Sequence, residues 1–159
     1  MIFVTVGTHP QSFNRLLKAI DELIEKDLIK EEVVMQIGYS TYEPKNARWF
    51  RFTNYEEIQR LNMNARLIIS HGGAGCILTA LSYSKPLIVI PRLKKFKEHA
   101  DDHQVQLAKK LQQEGKIIFV DDVKNIFNAI RNVSHIKNKR IIKKNSLSKI
   151  VLRYISSLS

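Results

Sequence analysis

The residues best suited to chemistry follow a short apolar run at residues 67–69. Small and polar residues fill the next positions: Ser70, His71, Gly72, Gly73, Ala74 and Gly75. From residue 74 onward apolar side chains recur at helical spacing, so the pattern predicts a buried strand, a tight turn and the start of a helix. Glycine lets backbone approach a ligand closely, and the unpaired N–H groups of a helix N-terminus favour a phosphate. A turn that needs glycine only for packing has the same pattern, so both interpretations stay open here.

A second polar segment, residues 98–104, carries His99 and His103 four positions apart. On one helix face these two side chains would permit a metal site. The zinc-protease spacing, with Glu directly after the first His, is absent and no third ligand is evident, so we predict no metal. Two other interpretations stay open. The segment is a solvated helix start whose acidic residues favour the helix dipole, or His103 and Gln104 contact a polar ligand.

Two common cofactor classes are disfavoured. No G-x-G-x-x-G fingerprint follows the first predicted strand, and no Walker lysine follows the glycines at residues 72–75. Nicotinamide and ATP chemistry are therefore not expected. The single cysteine, Cys76, excludes an internal disulfide and a cysteine-based zinc cluster. Its place beside the glycines would suit a nucleophile, but a small buried residue in the first helical turn is the favoured interpretation.

Strands and helices alternate along the chain without hairpin signals. The predicted strands are residues 2–6, 33–37, 49–52, 67–69, 86–90 and 116–120. The predicted helices are residues 13–25, 55–62, 74–81, 99–112 and 123–132, with Ser12 as N-cap of the first. This alternation predicts an α/β fold, with a Rossmann-like, mostly parallel sheet and helices on both faces.

Polar clusters follow four of the predicted strands, at residues 7–11, 38–40, 70–75 and 91–104. In parallel sheets, ligands bind beyond the carboxyl ends of the strands. Because all four clusters fall at that edge, they predict one shared site more strongly than any single loop does.

Length and composition favour one globular domain. The chain has 159 residues, of which 44% are hydrophobic and 26% charged. No apolar run approaches the ~20 residues of a membrane-spanning helix. The first residues lack a basic region and enter a strand directly, so no signal peptide is expected. A cytoplasmic location fits these features.

Positive charge is concentrated at the C-terminal end. Through Asp122 there are 17 Lys and Arg against 15 Asp and Glu, whereas nine basic residues and no acidic residue follow. We therefore expect a nearly neutral domain at residues 1–132 and a basic amphipathic helix at residues 133–159. The apolar stripe of that helix packs back on the domain, and its basic residues suit an anionic membrane surface. Nucleic acid is not expected as a partner, since Tyr154 is the one aromatic ring in the basic run.

Four motifs occur in a characteristic order. They are Gly7-Thr-His with Gln11, Phe13 and Arg15-Leu16; Ile69-Ser-His-Gly-Gly-Ala-Gly; Lys85-Pro-Leu-Ile-Val-Ile-Pro-Arg92; and Glu98-His with Asp102-His-Gln104. Together they resemble the glycosyltransferase family 28 C-terminal domain, and in particular the stand-alone PssE-like subunits of polysaccharide synthesis. They are also similar to the cytosolic catalytic subunit of the two-part UDP-GlcNAc transferase of N-glycan assembly. The resemblance covers the chain from residue 1 to about residue 120.

The resemblance implies half of a GT-B glycosyltransferase, the half that binds the nucleotide sugar. A membrane-anchored partner subunit would carry the acceptor site, placing this chain peripherally at the cytoplasmic face of the membrane. A UDP-sugar donor and a lipid-linked acceptor are expected, with a hexose or N-acetylhexosamine transferred. No cofactor or metal is expected, because in GT-B transfer the helix dipole and basic groups stabilise the leaving diphosphate.

The resemblance also assigns residues to the donor site. The turn formed by Gly72, Gly73, Ala74 and Gly75 would cradle the diphosphate, beside Ser70. His103 and Gln104 match positions expected to contact the sugar or the diphosphate. Gly7, Thr8 and His9 would line the cleft, and Arg92 would neutralise the departing diphosphate.

Two features leave alternatives open. Relatives commonly carry an acidic residue for the ribose hydroxyls at the position of Thr79, and a threonine cannot form the same paired hydrogen bonds. The chain is thus either a donor-binding subunit or a non-catalytic activator of such a transferase.

The identity of the general base is also open. His9 and His71 are the candidate catalytic histidines. In the alternative interpretation His71 orders the turn, and the partner supplies the base.

Overall fold

The structure, a computed structural model, describes residues 1–133 and Ser156. The predicted basic helix at residues 133–159 lies outside the described residues except at its first position and at Ser156, so it stays a prediction, as does the boundary at residue 132. In the part of the chain that is described, every helix is too short or too polar to cross a bilayer.

Six strands and five α-helices make up this part of the chain. The strands are β1 (Ile2–Thr5), β2 (Val33–Gln36), β3 (Arg48–Phe50), β4 (Leu67–Ser70), β5 (Leu87–Val89) and β6 (Ile118–Phe119). The helices are α1 (Asn14–Glu25), α2 (Tyr55–Asn64), α3 (Ala74–Ser82), α4 (His103–Gln113) and α5 (Ile126–Asn132). Short 3₁₀ turns occupy Lys94–Phe96 and Val123–Asn125.

The strands form one parallel sheet in the order β3-β2-β1-β4-β5-β6. The chain reverses its direction of travel across the sheet between β1 and β4, where Ile2 pairs with Leu67 and Thr5 with Ser70. This reversal is the switch point at which ligands of such sheets bind. The predicted parallel α/β class is therefore confirmed.

The helices cover both faces of the sheet because each presents one apolar face. Helices α1 and α5 pack on one side, where Phe13, Leu16, Leu17 and Ile20 are fully buried. Helices α2, α3 and α4 pack on the other side. The central strands β1 and β4 are buried along their whole length, as strands covered on both faces must be.

Two predicted helix starts differ from the structure. Helix α4 begins at His103 rather than at residue 99, and the segment before it contains the 3₁₀ turn Lys94–Phe96, whose C-cap, Lys97, has φ of 57°. That turn places the Glu98 carboxylate inward. Ser12 is not the N-cap of α1: its hydroxyl donates to the Tyr39 carbonyl, and Phe13 occupies the cap position.

A buried carboxylate in α1 holds the loop after β2. Asp21 is 2% exposed and accepts hydrogen bonds from the Tyr42 hydroxyl at 2.6 Å and from the Lys45 and Asn46 N–H groups at 2.9 and 2.8 Å. Burial alone would raise the pKa of Asp21, but these hydrogen bonds outweigh it and lower the pKa below its ordinary value of 3.8. The same hydrogen bond raises the pKa of Tyr42 to about 12.

Asp21→Asn should lower the free energy of unfolding by about 1–3 kcal/mol at neutral pH, because the amide replaces one of the two acceptor oxygens by an NH₂ donor, which then faces the N–H group of either Lys45 or Asn46. Tyr42→Phe is the control and should cost only about 1 kcal/mol, since it removes one hydrogen bond. Urea unfolding followed by circular dichroism measures both.

The loss of stability caused by Asp21→Asn should also depend on pH. The pKa of Asp21 is lower in the folded state than in the unfolded state. The ionised carboxylate therefore stabilises the fold fully at any pH above the unfolded pKa, and this stabilisation is lost as the pH falls through the folded pKa. The difference in the free energy of unfolding between Asp21→Asn and wild type should stay constant down to about pH 5 and become smaller below about pH 4. A difference that narrowed above pH 5 would assign the dependence to another group.

Candidate functional site

Three loops meet at the carboxyl edge of the sheet. They follow β1, β4 and β5, which are neighbours in the order β1-β4-β5. The loop after β1 carries Thr8 and His9, the loop after β4 is the glycine turn, and the loop after β5 runs from Pro91 to Asp102. The sheet order therefore brings together three of the four polar clusters that the sequence predicts at this edge.

The imidazole of His71 fills the space between two of these loops. A Cβ added to Gly7 or to Gly73 would overlap the His71 ring, so both positions exclude any larger residue. Gly7 also has φ of +73°, a conformation that few other residues adopt. The backbone N–H of His71 donates to the Thr5 carbonyl at 3.2 Å, which fixes the ring against β1. His71 therefore sets the distance between the β1 loop and the glycine turn.

The other two glycines of the turn have different surroundings. A Cβ on Gly72 would lie 2.6 Å from the Cβ of Gln104, so this glycine lets α4 pack closely against the turn. At Gly75 nothing lies within 4 Å of an added Cβ, and the residue is exposed. The packing interpretation of the glycines thus applies to Gly7, Gly72 and Gly73, whereas Gly75 leaves open space for a ligand.

Beside Gly75, the N-terminus of α3 faces this space without a side-chain cap. Its N-cap is Gly73, which has no side chain, and no acidic residue occupies the first turn. The first intrahelical hydrogen bond runs from the Ile77 N–H to the Gly73 carbonyl. Within the described part of the chain the N–H groups of residues 74–76 have no acceptor, so they are available to an external one, and the helix dipole favours an anion there.

His71 itself is poorly suited to proton transfer. It is 7% exposed, and its Nδ1 makes no hydrogen bond within the described residues. Burial, and then the positive charge of Arg92, lower the pKa of His71 to about 4. The ring is consequently neutral at physiological pH and a weak base. This environment favours the turn-ordering role of His71 over the catalytic one.

Arg92 does not reach the ligand space. It is 0% exposed, and its guanidinium donates to the carbonyls of Val6 at 2.9 Å, Gln11 at 2.7 Å and Glu98 at 3.2 Å. The role of Arg92 in neutralising a departing diphosphate stays a prediction, and in this geometry its charge, rather than a direct contact, would supply that role. Burial lowers the pKa of Arg92 to about 10, so the group stays charged at neutral pH and acts on the site through its field.

Ser70 is also enclosed. It is 0% exposed, and its hydroxyl donates to the His71 carbonyl at 3.0 Å. Ser70 ends a strand whose neighbours cover both faces, so its side chain is not exposed to a ligand in this geometry, and its role in donor binding stays a prediction. Thr79 is better placed, on α3 and half-buried, although its hydroxyl donates to the Gly75 carbonyl at 2.9 Å.

The first turn of α4 completes the site. The Gln104 side-chain oxygen accepts a hydrogen bond from the backbone N–H of Arg92 at 3.1 Å, which attaches the helix to the β5 loop. His103 is the first residue of the helix, 49% exposed, with Nδ1 3.4 Å from an Asp101 carboxylate oxygen. His103 can thus meet a ligand, whereas the Gln104 oxygen is already engaged.

Two further groups, Gln36 and the Arg15–Glu98 pair, hold these loops and were not predicted from the sequence as site residues. Gln36 is 4% exposed; its side-chain oxygen accepts from the Thr5 hydroxyl at 2.6 Å and the Gly7 N–H at 3.0 Å, and its amide donates to the Gly7 carbonyl at 2.9 Å. A polar residue inside the apolar run of β2 is the signal that could have revealed it. Arg15 forms a paired salt bridge with buried Glu98 at 2.9 and 3.0 Å, for which sequence spacing offers no signal.

The family model named "Glycosyltransferase family 28 C-terminal domain" matches residues 1–152. The chain belongs to this family. The predicted membership of this family is thus confirmed. Within residues 1–133 and Ser156, no group of three or more His, Cys, Asp or Glu residues is arranged to hold a metal ion.

Curated relatives carry transferase names. The UDP-N-acetylglucosamine transferase subunit ALG13 of Mus musculus is 34% identical over 126 residues, and that of Homo sapiens is 34% identical over 131 residues; each alignment covers 74% of this chain. The chain spans 10% and 11%, respectively, of the length of these two relatives. An N-acetylglucosamine transferase of Prochlorococcus marinus, which acts on a pyrophosphoryl-undecaprenol acceptor, is 30% identical over 77% of this chain and 36% of its own length.

Solved structures confirm the fold. An NMR structure of ALG13 superposes with a TM-score of 0.64 at 20% identity and covers 98% of this chain and 96% of that one. The calicheamicin glycosyltransferase CalG4 gives a TM-score of 0.62 at 17% identity, over 98% of this chain and 38% of that one. The fold is therefore that of one Rossmann-like half of a GT-B glycosyltransferase.

Gly73→Ala should destabilise the protein by about 1–3 kcal/mol, because its methyl group overlaps the His71 ring. Gly75→Ala is the matched control in the same turn and should leave stability unchanged or raise it by up to about 1 kcal/mol, since it adds a methyl group in open space within a helix. Urea unfolding of the two variants measures the difference.

The double variant Gly73→Ala/His71→Ala identifies the cause. If the imidazole of His71 is the obstacle, Gly73→Ala should lower the free energy of unfolding much less in the His71→Ala background than in wild type. An unchanged cost would show that backbone geometry, rather than His71, requires the glycine.

Proposed function

We propose that this chain is the nucleotide-sugar-binding subunit of a bipartite glycosyltransferase. The observation that carries the proposal is the uncapped N-terminus of α3, which opens beside Gly75 at the switch point of a family 28 domain. The donor is a UDP-sugar, and the transferred group is a hexose or N-acetylhexosamine. Names of the curated relatives, which refer to UDP-N-acetylglucosamine transfer, support this donor class.

In this proposal the α3 N-terminus binds the diphosphate of the donor. Hydrogen bonds from backbone N–H groups to a phosphate are charge-assisted and contribute about 1.5–3 kcal/mol each. The groups are held in place before the donor arrives, since His71 fixes the turn against the β1 loop. They also stabilise the charge that develops as the diphosphate leaves, which is how this fold lowers the barrier to transfer.

Contacts to the sugar come from the neighbouring loops. His103 at the start of α4 and Thr8 in the β1 loop are both exposed toward solvent at the same sheet edge. Gln104 contributes indirectly, because its side-chain oxygen holds the Arg92 backbone and its Cβ packs on Gly72. Because these side chains are exposed, they can contact a donor whose other face is covered by a second protein.

A partner subunit supplies what this half of the site does not offer. His71 is a poor base, and His9 has a pKa that burial and then Arg92 and His99 lower. We therefore assign the general base for the acceptor hydroxyl to the partner, which is membrane-anchored and binds a lipid-linked acceptor. The basic tail, with its nine Lys and Arg after Asp122, suits the anionic surface beside such a partner.

A second candidate function is that of a non-catalytic activator of such a transferase. Thr79 favours it, because this position of α3 lacks the carboxylate that would hold the ribose, and the threonine hydroxyl already donates to the Gly75 carbonyl. In this alternative the fold and the partner interface are retained, while donor affinity is lost.

Calorimetric titration of the purified chain distinguishes the two functions. The donor-binding subunit should bind UDP and one of UDP-GlcNAc, UDP-Gal or UDP-Glc saturably, with GDP as the control nucleotide. Affinity should fall at least tenfold in Gly75→Val, whose branched side chain fills the open space at the α3 N-terminus. A folded wild-type chain that bound none of these nucleotides, alone or with its co-expressed partner, would favour the activator.

Thr79→Glu should strengthen UDP binding about tenfold, because a carboxylate can accept two hydrogen bonds from the ribose hydroxyls, each worth about 1–3 kcal/mol before the entropy of ordering the side chain. The Thr79→Gln variant carries a side chain of similar size to glutamate but without the charge, so its affinity for UDP should rise much less. The same titration measures both variants, and an equal gain in both would attribute the effect to side-chain length.

A further inference from the structure

The side-chain amide of Gln36 holds the two peptide groups on either side of the Gly7 Cα. Its Oε1 accepts the Gly7 N–H, which belongs to the peptide group shared with Val6, at 3.0 Å. Its Nε2 donates to the Gly7 carbonyl, which belongs to the peptide group shared with Thr8, at 2.9 Å. Because φ and ψ describe the rotation of these two groups about the Cα, one amide fixes the conformation of Gly7, including its φ of +73°.

The surroundings of Gln36 permit one orientation of this amide. Oε1 also accepts the Thr5 hydroxyl at 2.6 Å, and Nε2 also donates to the Arg51 carbonyl at 3.2 Å. A reversed amide would place its NH₂ group against the Gly7 N–H and its oxygen against two carbonyls. Since Gln36 is 4% exposed, water could not replace the lost partners. The pattern of hydrogen bonds therefore determines which way the amide faces.

The backbone of Gly7 has little room to move away from Gln36. A Cβ added to Gly7 would lie 2.4 Å from Cε1 of His71, and the same ring lies close to Gly73, the N-cap of α3. A Cβ added to Gly38 would lie 2.5 Å from the Gly7 carbonyl oxygen. Gly7 is thus enclosed by three neighbours, and a change at Gln36 should displace the β1 loop rather than be absorbed locally.

The β1 loop reaches solvent directly after Gly7. Thr8 is exposed and His9 is half-buried, at the same sheet edge as the N-terminus of α3. Thr8 is joined to Gly7 by the peptide group whose carbonyl Gln36 holds. The direction of Thr8 therefore depends on the amide of a buried residue in the neighbouring strand.

We propose that Gln36 is a positioning residue for the nucleotide sugar: by fixing both peptide groups of Gly7, it sets the direction in which Thr8 and His9 extend from β1 to line the donor cleft. This inference rests on the proposed function and adds a residue that the family motifs do not include. Because Gln36 is buried, it acts on the donor through Gly7 and not through a contact of its own.

Amide hydrogen exchange on the free chain, followed by NMR, tests the effect of Gln36 on Gly7. Gln36→Met has a side chain of similar length without the amide and should accelerate exchange of the Gly7 N–H at least about tenfold. Asp21→Asn is the matched control, because it loses stability through the loop at Lys45 and Asn46, and should leave that rate within about threefold of wild type. Equal Gly7 exchange in Gln36→Met and wild type, or equal acceleration in both variants, would overturn the proposal without affecting the proposed function.

Calorimetric titration with UDP-GlcNAc tests the positioning role. Gln36→Met should weaken binding about tenfold, because part of the binding free energy is then used to order the β1 loop. Thr5→Val removes a hydroxyl from the same network but keeps both contacts between Gln36 and Gly7, so its affinity should stay within about threefold of wild type. Wild-type affinity in Gln36→Met, or an equal loss in Thr5→Val, would overturn the positioning role alone. A wild-type chain that bound no nucleotide sugar would overturn the proposed function, and the donor role of Gln36 with it.

Gln36→Glu is the second variant and separates the two halves of the amide. It keeps an acceptor for the Gly7 N–H but directs an oxygen at the carbonyls of Gly7 and Arg51. With the carboxylate ionised, at about pH 8.5, Gly7 exchange should stay within about threefold of wild type while affinity for UDP-GlcNAc falls at least about tenfold. Wild-type affinity in this variant would show that the Gly7 carbonyl needs no donor and would overturn the proposal.

Discussion

The buried guanidinium of Arg92 is the interaction on which the carboxyl edge of the sheet depends. It joins the end of β1, the loop before α1 and the segment before α4 through the carbonyls of Val6, Gln11 and Glu98. The backbone N–H of the same residue holds Gln104. A buried cation is costly unless its donors are satisfied, so these carbonyls can hardly move without exposing or stranding the charge. The loops that form the candidate site are therefore held rigidly from beneath.

Sequence patterns were sufficient for the fold and for the position of the site. Alternating apolar runs and amphipathic segments identify parallel strands and covering helices, since burial on both faces requires continuous apolar strands. The placement of polar clusters after β1, β4 and β5 follows from the same alternation. Both depend on chain periodicity, which a sequence displays directly.

The roles of individual polar residues could not be predicted in the same way. Arg92 stands in a basic loop and looks solvent-exposed in sequence, yet it is buried because carbonyls from three separate segments surround it. The glycines suggest a ligand, but His71 and Gln104 account for three of them. The segment before α4 contains Glu98, which pairs with Arg15 from a distant part of the chain. Each case depends on contacts between distant residues, to which spacing along the chain gives no access.

The pairing of β1 with β4 has a consequence for how the protein is made. Ile2 meets its partner in β4 only when Leu67 is available, and α1, β2, β3 and α2 must all be synthesised in between. Such long-range closure is slow relative to helix formation, and an apolar strand that waits for its neighbour is prone to aggregate. During translation the first strand can pair early only with β2. The β1 loop is therefore made long before the glycine turn, and the candidate site is complete only after β5 and the first turn of α4 have also left the ribosome.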